Sequence, residues 1–157
     1  MTTVEHGILI KAPAEVIEAV AIDGKRAPEW VPGVLRAEPD DVHPEPGGKL
    51  YMAYKFPGMT FDFTSTIMEL KRGQGLTERM EGVMRGIMRW EYIPENGGTW
   101  VKVKFDYEMI GGILGRALDR LLMKDMNRRS LQKILENLKG LVESSVHQPN
   151  STPSKVI

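Results

Sequence analysis

The amino-acid sequence predicts an α+β domain made of one strand, two short helices, about six antiparallel strands and a long C-terminal helix. Two patterns predict this class. After residue 33 the chain alternates apolar and polar side chains for about eighty residues, with Gly- and Pro-rich turns between the runs. Residues 113–144 then carry apolar side chains at helical spacing. A length of 157 residues with 41% hydrophobic content is enough for the core of one domain.

The first strand and the short helices are predicted near the N-terminus. The segment TVEHGILIKA alternates with a period of two, which is typical of a half-buried strand. The segment APAEVIEAVAID follows as a helix, because Pro13 suits its first turn, its apolar residues recur at helical spacing and Gly24 ends it. A second short helix is predicted around KRAPEW and carries Trp30.

The middle of the chain is predicted to form an antiparallel meander. Its strand segments are VLRAEPDDV, GKLYMAYKF, TFDFTSTIMEL, LTERMEGVMRGIMRWEYI and TWVKVKFDYEM, and turn sequences such as HPEPGG and PENGG separate them. In TFDFTSTIMEL two registers compete, so a bulge can occur there and the face that Asp62 occupies stays open. Alternation along the last two strands predicts one buried face, which carries Met88, Trp90, Tyr92, Val101, Val103, Phe105 and Tyr107.

The long helix carries two apolar stripes that do not share one face. They consist of Ile113, Leu114, Ala117, Leu118, Leu121 and Leu122, and then of Leu131, Ile134, Leu135, Leu138, Leu141 and Val142. The second stripe is rotated by roughly a quarter turn or more from the first, so we expect the helix to bend or its halves to cover different parts of a curved sheet. The domain is predicted to cover residues 1–145, and the polar residues 146–157 are expected to be a disordered tail.

The order of elements and three sequence segments carry a resemblance to a known superfamily. The segments are APAEVIEAVAI near the start, ENGGTWVKVKFDYEM in the last strand, and GGILGRALDRLL with LQKILENLKGLVE in the last helix. Over residues 3–144 the chain resembles the START/Bet v 1-like superfamily, and within it the bacterial polyketide cyclase/dehydrase branch of SRPBCC proteins. The resemblance implies a helix-grip fold, in which a curved antiparallel sheet of about six to seven strands wraps around the long helix.

The helix-grip fold implies a cavity, because a twisted sheet curls away from a straight helix that cannot touch all of its concave face. Members of the superfamily fill this space with lipids, sterols, quinones, polyketides or plant hormones, and some carry out cyclisation, dehydration or hydrolysis there. The resemblance implies that Trp30 lies near one mouth of the cavity. It further implies a ligand-binding wall formed by Met52, Tyr54, Phe63, Met80, Met88, Trp90, Val103, Phe105, Leu118 and Leu122.

The sequence offers few residues for catalysis or metal binding. It contains no cysteine, and His6, His43 and His147 lack the spacing of metal ligands, so no metal and no cofactor are expected. No catalytic residue is assigned. A buried carboxyl group could still serve in acid/base chemistry, and a tyrosine could donate a proton. The candidates are Asp62, Glu69, Glu78, Glu81, Tyr54, Tyr92 and Tyr107, and the four carboxylates are interpreted as solvated side chains on the outer sheet face.

Charge and hydropathy bear on partners and location. Twenty-one basic residues balance twenty-one acidic ones, so we expect no nucleic acid as a partner. Without a signal peptide or an apolar run of about 20 residues, the chain is expected to be cytoplasmic, with no stable membrane insertion, as a monomer or weak homodimer.

Three functions stay open. The favoured hypothesis is a carrier or sensor that binds a hydrophobic small molecule, and ten methionines suit an adaptable apolar site. The second is an enzyme of the polyketide cyclase, aromatase or dehydratase type. The third is a protein-interaction domain, for which Trp100 on the outer sheet face is the candidate contact.

Overall fold

The computed structural model describes residues 1–56, 58–110 and 120–146. Helices and strands follow one another in the predicted order, with the segment around KRAPEW forming a 3₁₀ turn and then a short helix. The elements are β1 (Thr2–Ile10), α1 (Ala14–Ala21), the 3₁₀ turn (Gly24–Arg26), α2 (Ala27–Trp30), β2 (Val34–Pro39), β3 (Lys49–Phe56), β4 (Met59–Lys71), β5 (Gly75–Glu81), β6 (Met84–Glu95), β7 (Gly98–Met109) and α3 (Arg120–Val146).

The strands form one seven-stranded antiparallel sheet in the order β1-β7-β6-β5-β4-β3-β2. Neighbours in the sequence are neighbours in the sheet, except that β1 pairs with β7. The bulge that was possible in β4 is present, since the register with β5 shifts between Ile67 and Glu69. Ile67 therefore points inward at 2% exposure, whereas Met68 faces outward at 43%. The helix-grip fold is confirmed.

The C-terminal part of α3 is anchored on β1. Leu131, Leu135, Leu138 and Val142 are buried on one face of the helix. A hydrogen bond also holds α3 to β1: Lys139 Nζ donates to the Leu9 carbonyl oxygen at 2.7 Å. The helix therefore presents its second predicted stripe to the sheet, and α1 packs beside it.

The first apolar stripe of the long helix was expected to cover part of the sheet, but its described residues are exposed. Leu121 and Leu122 are 72% and 49% exposed at the described start of α3. Helical spacing shows which side chains share a face, but it does not show whether another element covers that face. The other four members of this stripe, in residues 113–118, lie outside the described residues. So do residues 147–157 of the predicted tail, whereas Val146 is the last residue of α3.

The solid core lies where α1 and α3 cover the β1 and β7 side of the sheet. Its most buried members are Ile10, Ile17, Val101, Val103, Leu135 and Leu138. On the outer face, Trp100 is only partly exposed because its indole lies over Gly7, where an added Cβ would stand 2.4 Å from Trp100 Cζ2. The expected outer contact residue is therefore packed against its own sheet. No helix within the described ranges is long and apolar enough to cross a membrane.

Candidate functional site

A cavity of about 500 Å³ lies between the concave face of the sheet, α2 and α3. Strands β3 to β6 form its floor, because alternate residues of each strand point to the same face. The strand residues on the wall are Val34, Leu50, Met52, Tyr54, Lys55, Phe63, Ser65, Ile67, Leu76, Glu78, Met80, Met84, Met88, Trp90 and Phe105. The cavity therefore occupies the part of the sheet that the solid core leaves free.

Most of the side chains predicted to bind a ligand lie on this wall. They are Trp30, Met52, Tyr54, Phe63, Met80, Met88, Trp90 and Phe105. They come from α2 and from all five strands β3 to β7, so the fold brings together residues that are distant in sequence. Their contact with a ligand stays a prediction.

Two of the predicted wall residues lie elsewhere. Val103 is fully buried in the solid core, because β7 lies under the attachment of β1 and α3 and only Phe105 of this strand reaches the cavity. Leu122 is 49% exposed on the first turns of α3 and does not line the cavity. Leu118 lies outside the described residues. Strand parity identifies the inward face correctly, but it does not separate the solid core from the cavity wall.

Trp30 forms a rigid aromatic corner of the cavity with Trp90. Their ring centroids are 6.0 Å apart and the rings are nearly perpendicular, at 83°. Such edge-to-face pairs contribute about 0.5–1.5 kcal/mol beyond their buried area. Trp30 is 5% exposed, and its carbonyl oxygen accepts a 3.1 Å hydrogen bond from Asn137 Nδ2 on α3. Instead of marking a mouth, Trp30 is a buried link between α2, β6 and α3.

Glu78 is the carboxylate that lines the cavity, contrary to the interpretation that it is solvated on the outer face. Burial raises its pKa to about 7, and a hydrogen bond from the Ser65 hydroxyl acts in the opposite direction. Ser65 is 2% exposed on the neighbouring strand. The signal in the sequence was strand parity, since Glu78 lies two residues from Met80 on β5 and so shares its face. Glu69 and Glu81 are exposed as expected, and Asp62, whose face the sequence left open, is exposed and does not line the cavity.

The three tyrosine candidates occupy different environments. Tyr54 lies on the cavity wall and makes an edge-to-face contact with Phe63 at 5.9 Å between centroids. Tyr92 and Tyr107 are 4% and 2% exposed and lie in the solid core. Burial raises the pKa of Tyr92, and the negative charges of Glu18 and Glu78 raise it further. Tyr54 is therefore the tyrosine that a cavity ligand can reach.

The cavity wall reaches solvent at three exposed basic residues, and we call the part of the wall that they border the opening. Lys55 at the end of β3 and Arg129 and Lys133 on α3 line the cavity while remaining exposed. His43 also borders the cavity, and burial lowers its pKa. The site therefore combines a mostly apolar interior, one partly buried carboxyl group on the inner wall and a basic opening. Within the described part of the chain, no group of three or more His, Asp or Glu residues could hold a metal ion.

Several solved structures share this fold. The Thermus thermophilus protein TTHA0849 is 22% identical, with a TM-score of 0.79 and coverage of 92% of this chain and 99% of that one. The ZhuI aromatase/cyclase from a Streptomyces species is 16% identical, with a TM-score of 0.76 and coverage of 94% and 97%. A START superfamily protein from Mycobacterium smegmatis is 17% identical, with a TM-score of 0.74 and coverage of 90% and 97%. At these identities the likeness concerns the fold.

Sequence comparison assigns the family. No curated protein matches the chain. A family model described as polyketide cyclase/dehydrase and lipid transport matches residues 1–143, which is nearly the whole described domain. The chain therefore belongs to the polyketide cyclase/dehydrase and lipid transport family.

Proposed function

We propose that this protein binds a hydrophobic small molecule in the cavity between sheet and helix, as a carrier or sensor. The compound classes that suit the site are lipids, quinones, sterols and polyketide-like molecules. The observation that carries the proposal is the cavity of about 500 Å³ with a wall of methionine, leucine and aromatic side chains. Its volume falls within the range of small-molecule sites, which is roughly 300–1,000 Å³.

The energetic basis is the removal of apolar surface from water. Each Å² of apolar surface that ligand and wall bury together contributes about 25 cal/mol. The walls also differ in stiffness. The perpendicular pair Trp30 and Trp90 has few rotamers, whereas Met52, Met80 and Met88 have flexible side chains that can adapt to ligands of different shape. A cavity wall that combines a rigid aromatic pair with flexible methionine side chains suits a carrier of apolar compounds.

Native mass spectrometry and organic extraction of the purified protein test the proposal, followed by calorimetric titration with a neutral sterol, a quinone and a long-chain alcohol. We expect at least one class to bind with a stoichiometry of about one, since one cavity accommodates one such ligand. The substitution Met80→Trp fills the cavity and should abolish binding. The matched control Arg79→Trp changes the adjacent, outward-facing residue of β5 and should leave binding intact.

Two outcomes would refute the proposal. In one, no compound of any class is extracted or bound. In the other, the folded Met80→Trp protein binds as well as the wild type, which would place the ligand outside the cavity.

Glu78 favours a second candidate function, in which the protein is a cyclase or dehydratase that moves a proton. A carboxyl group with a pKa of about 7 is present in both protonation states at neutral pH, so it can accept and return a proton. A substrate that fills this mostly apolar cavity would displace water from around Glu78. In such a reaction, Glu78 would take a proton from carbon next to a ketone carbonyl and give it back after bond rearrangement.

Deuterium exchange tests this second candidate without knowledge of the natural substrate. The ketone 2-decanone is incubated with the protein in D₂O, and the loss of its α-hydrogen signals is followed by NMR. Catalysis predicts faster exchange with wild-type protein and a return to the uncatalysed rate with Glu78→Gln. The control Glu81→Gln, at the exposed end of the same strand, should exchange like the wild type. A wild-type rate equal to that of buffer would count against catalysis and leave the carrier proposal standing.

A further inference from the structure

We infer that the ligand is an amphiphile with an anionic end group, a carboxylate or a phosphate, held at the cavity opening by Lys55 and Lys133. This inference rests on the proposed binding function and specifies its ligand class. The apolar body of the ligand would lie against the aromatic and methionine wall, with its charged end at the rim.

The position of the two lysines supports this assignment. Lys55 lies near the end of β3 and Lys133 lies on α3, so the sheet and the helix each contribute a lysine to the cavity wall. Arg129 lies one helical turn before Lys133 and also lines the cavity. Because all three side chains are exposed, their charged ends stay hydrated and their aliphatic stems border the apolar space. An anionic group at the rim can meet them without being buried.

The local charge balance points to an external anion. Arg129 Nε is already paired with Asp125 Oδ2 at 2.9 Å, and the same carboxylate also binds Arg128. By contrast, among residues 1–56, 58–110 and 120–146 no carboxylate oxygen lies within 4.0 Å of the Nζ atom of Lys55 or Lys133. The opening therefore carries a net positive charge that the described protein does not neutralise.

The interior sets the orientation of the ligand. The acidic group on the inner wall is Glu78, and an anion placed beside it would meet like charge in a poorly solvated site. Ser65 and Glu78 suit a neutral hydroxyl or carbonyl group, with which they can form hydrogen bonds. The anionic end is therefore favoured at the opening, and any neutral polar group of the ligand is favoured inside.

Calorimetric titration at low salt with dodecanoic acid, dodecyl phosphate and dodecanol tests the inference, since the three share one chain and differ in the end group. We expect the anions to bind about tenfold more tightly than the alcohol, which corresponds to about 1.4 kcal/mol. Lys55→Gln and Lys133→Gln should each weaken anion binding by about three- to tenfold and leave the alcohol unchanged. Added salt should reduce the preference. Lys104→Gln, an exposed lysine on β7 away from the cavity, should behave like the wild type.

The outcomes separate this inference from the proposed function. If all three compounds bind with equal affinity, the anionic class is wrong and the carrier function stands. If the anions bind more tightly but neither lysine variant changes this, the assignment to Lys55 and Lys133 is wrong. If none binds, and the sterol and quinone titrations also fail, the proposed function fails together with the inference. A stronger response to dodecanoic acid or to dodecyl phosphate identifies the head group as carboxylate or phosphate.

Discussion

Ser65 donates a hydrogen bond to Glu78 across the β4–β5 pair, inside a cavity whose other walls are largely apolar. The hydrogen bond favours the ionised carboxylate, but the loss of hydration disfavours it more strongly, and the net effect raises the pKa of Glu78 to about 7. At neutral pH a glutamate with a pKa raised in this way lowers the free energy of unfolding, compared with an uncharged side chain at the same position. Such groups concentrate at functional sites, where a cavity needs a proton donor or acceptor.

The stability of the protein should fall with rising pH because of Glu78. Its pKa is about 4.5 in the unfolded chain and about 7 in the folded protein, so the folded state holds the proton more tightly between these values. The contribution is most favourable below the unfolded pKa and is lost as pH rises through about 7. The full change is about 3 kcal/mol. Urea unfolding at about pH 5 and about pH 9 measures most of it, because pH 5 lies only slightly above the unfolded pKa.

The variant Glu78→Gln isolates this effect from other titrating groups such as His43. Because glutamine does not ionise, we expect the variant to gain about 3 kcal/mol relative to the wild type between the two pH values. Glu81→Gln, which changes an exposed carboxylate on the same strand, should keep the wild-type profile. Parallel pH profiles of wild type and Glu78→Gln would mean that the carboxyl group of Glu78 is well hydrated.

The inward sheet face could be predicted from the sequence, because side-chain parity in a strand is a local property. Val101, Val103, Phe105 and Tyr107 alternate with charged residues, and all four are buried. The boundary between core and cavity could not be predicted in this way. Val103 and Phe105 share one face of β7, yet only Phe105 reaches the cavity, since the boundary depends on where α3 crosses the sheet.

Glu78 was missed for a different physical reason. Charged side chains are rarely buried, so composition favours the outer face for any glutamate in a strand. Strand parity instead predicts the inner face for Glu78, because Leu76 and Met80 flank it at a spacing of two and both line the cavity. Where the two signals disagree, an acidic residue in the middle of an inward-facing apolar set indicates a functional position.

The buried half of α3 should carry much of the attachment between helix and sheet. Leu138 is fully buried, so Leu138→Ala removes packed methyl groups and should destabilise the protein by about 2–5 kcal/mol. Leu121→Ala, at a site that is 72% exposed, should change stability by less than about 0.5 kcal/mol. Urea unfolding of both variants measures the difference. Equal small effects would show that α3 does not pack on β1 as described.

Two glycines should respond to alanine in opposite directions. A Cβ at Gly86 would stand 2.0 Å from the Asp106 carbonyl oxygen and 2.7 Å from Tyr107 Cα, so Gly86→Ala must separate β6 from β7 and should cost at least about 2 kcal/mol. Gly140 lies in α3 with no atom within 4 Å of an added Cβ. Gly140→Ala should therefore stabilise by about 0.5–1 kcal/mol, because alanine loses less conformational freedom in a helix. Thermal unfolding of the two variants measures whether each substitution lowers or raises stability. A destabilised Gly140→Ala protein would contradict the described surroundings of α3.

A brominated ligand should show where it binds by quenching the fluorescence of the tryptophans close to it. Trp30 and Trp90 line the cavity, whereas Trp100 lies over Gly7 on the outer face of the sheet. Because a heavy atom quenches indole fluorescence only at short range, a long-chain alcohol brominated in mid-chain should quench Trp30 and Trp90 and leave Trp100 bright. Single-tryptophan proteins, in which the other two are replaced by phenylalanine, give each signal separately. Selective quenching of Trp100 would place the ligand on the outer face and would shift the function from an enclosed carrier to a surface-binding domain.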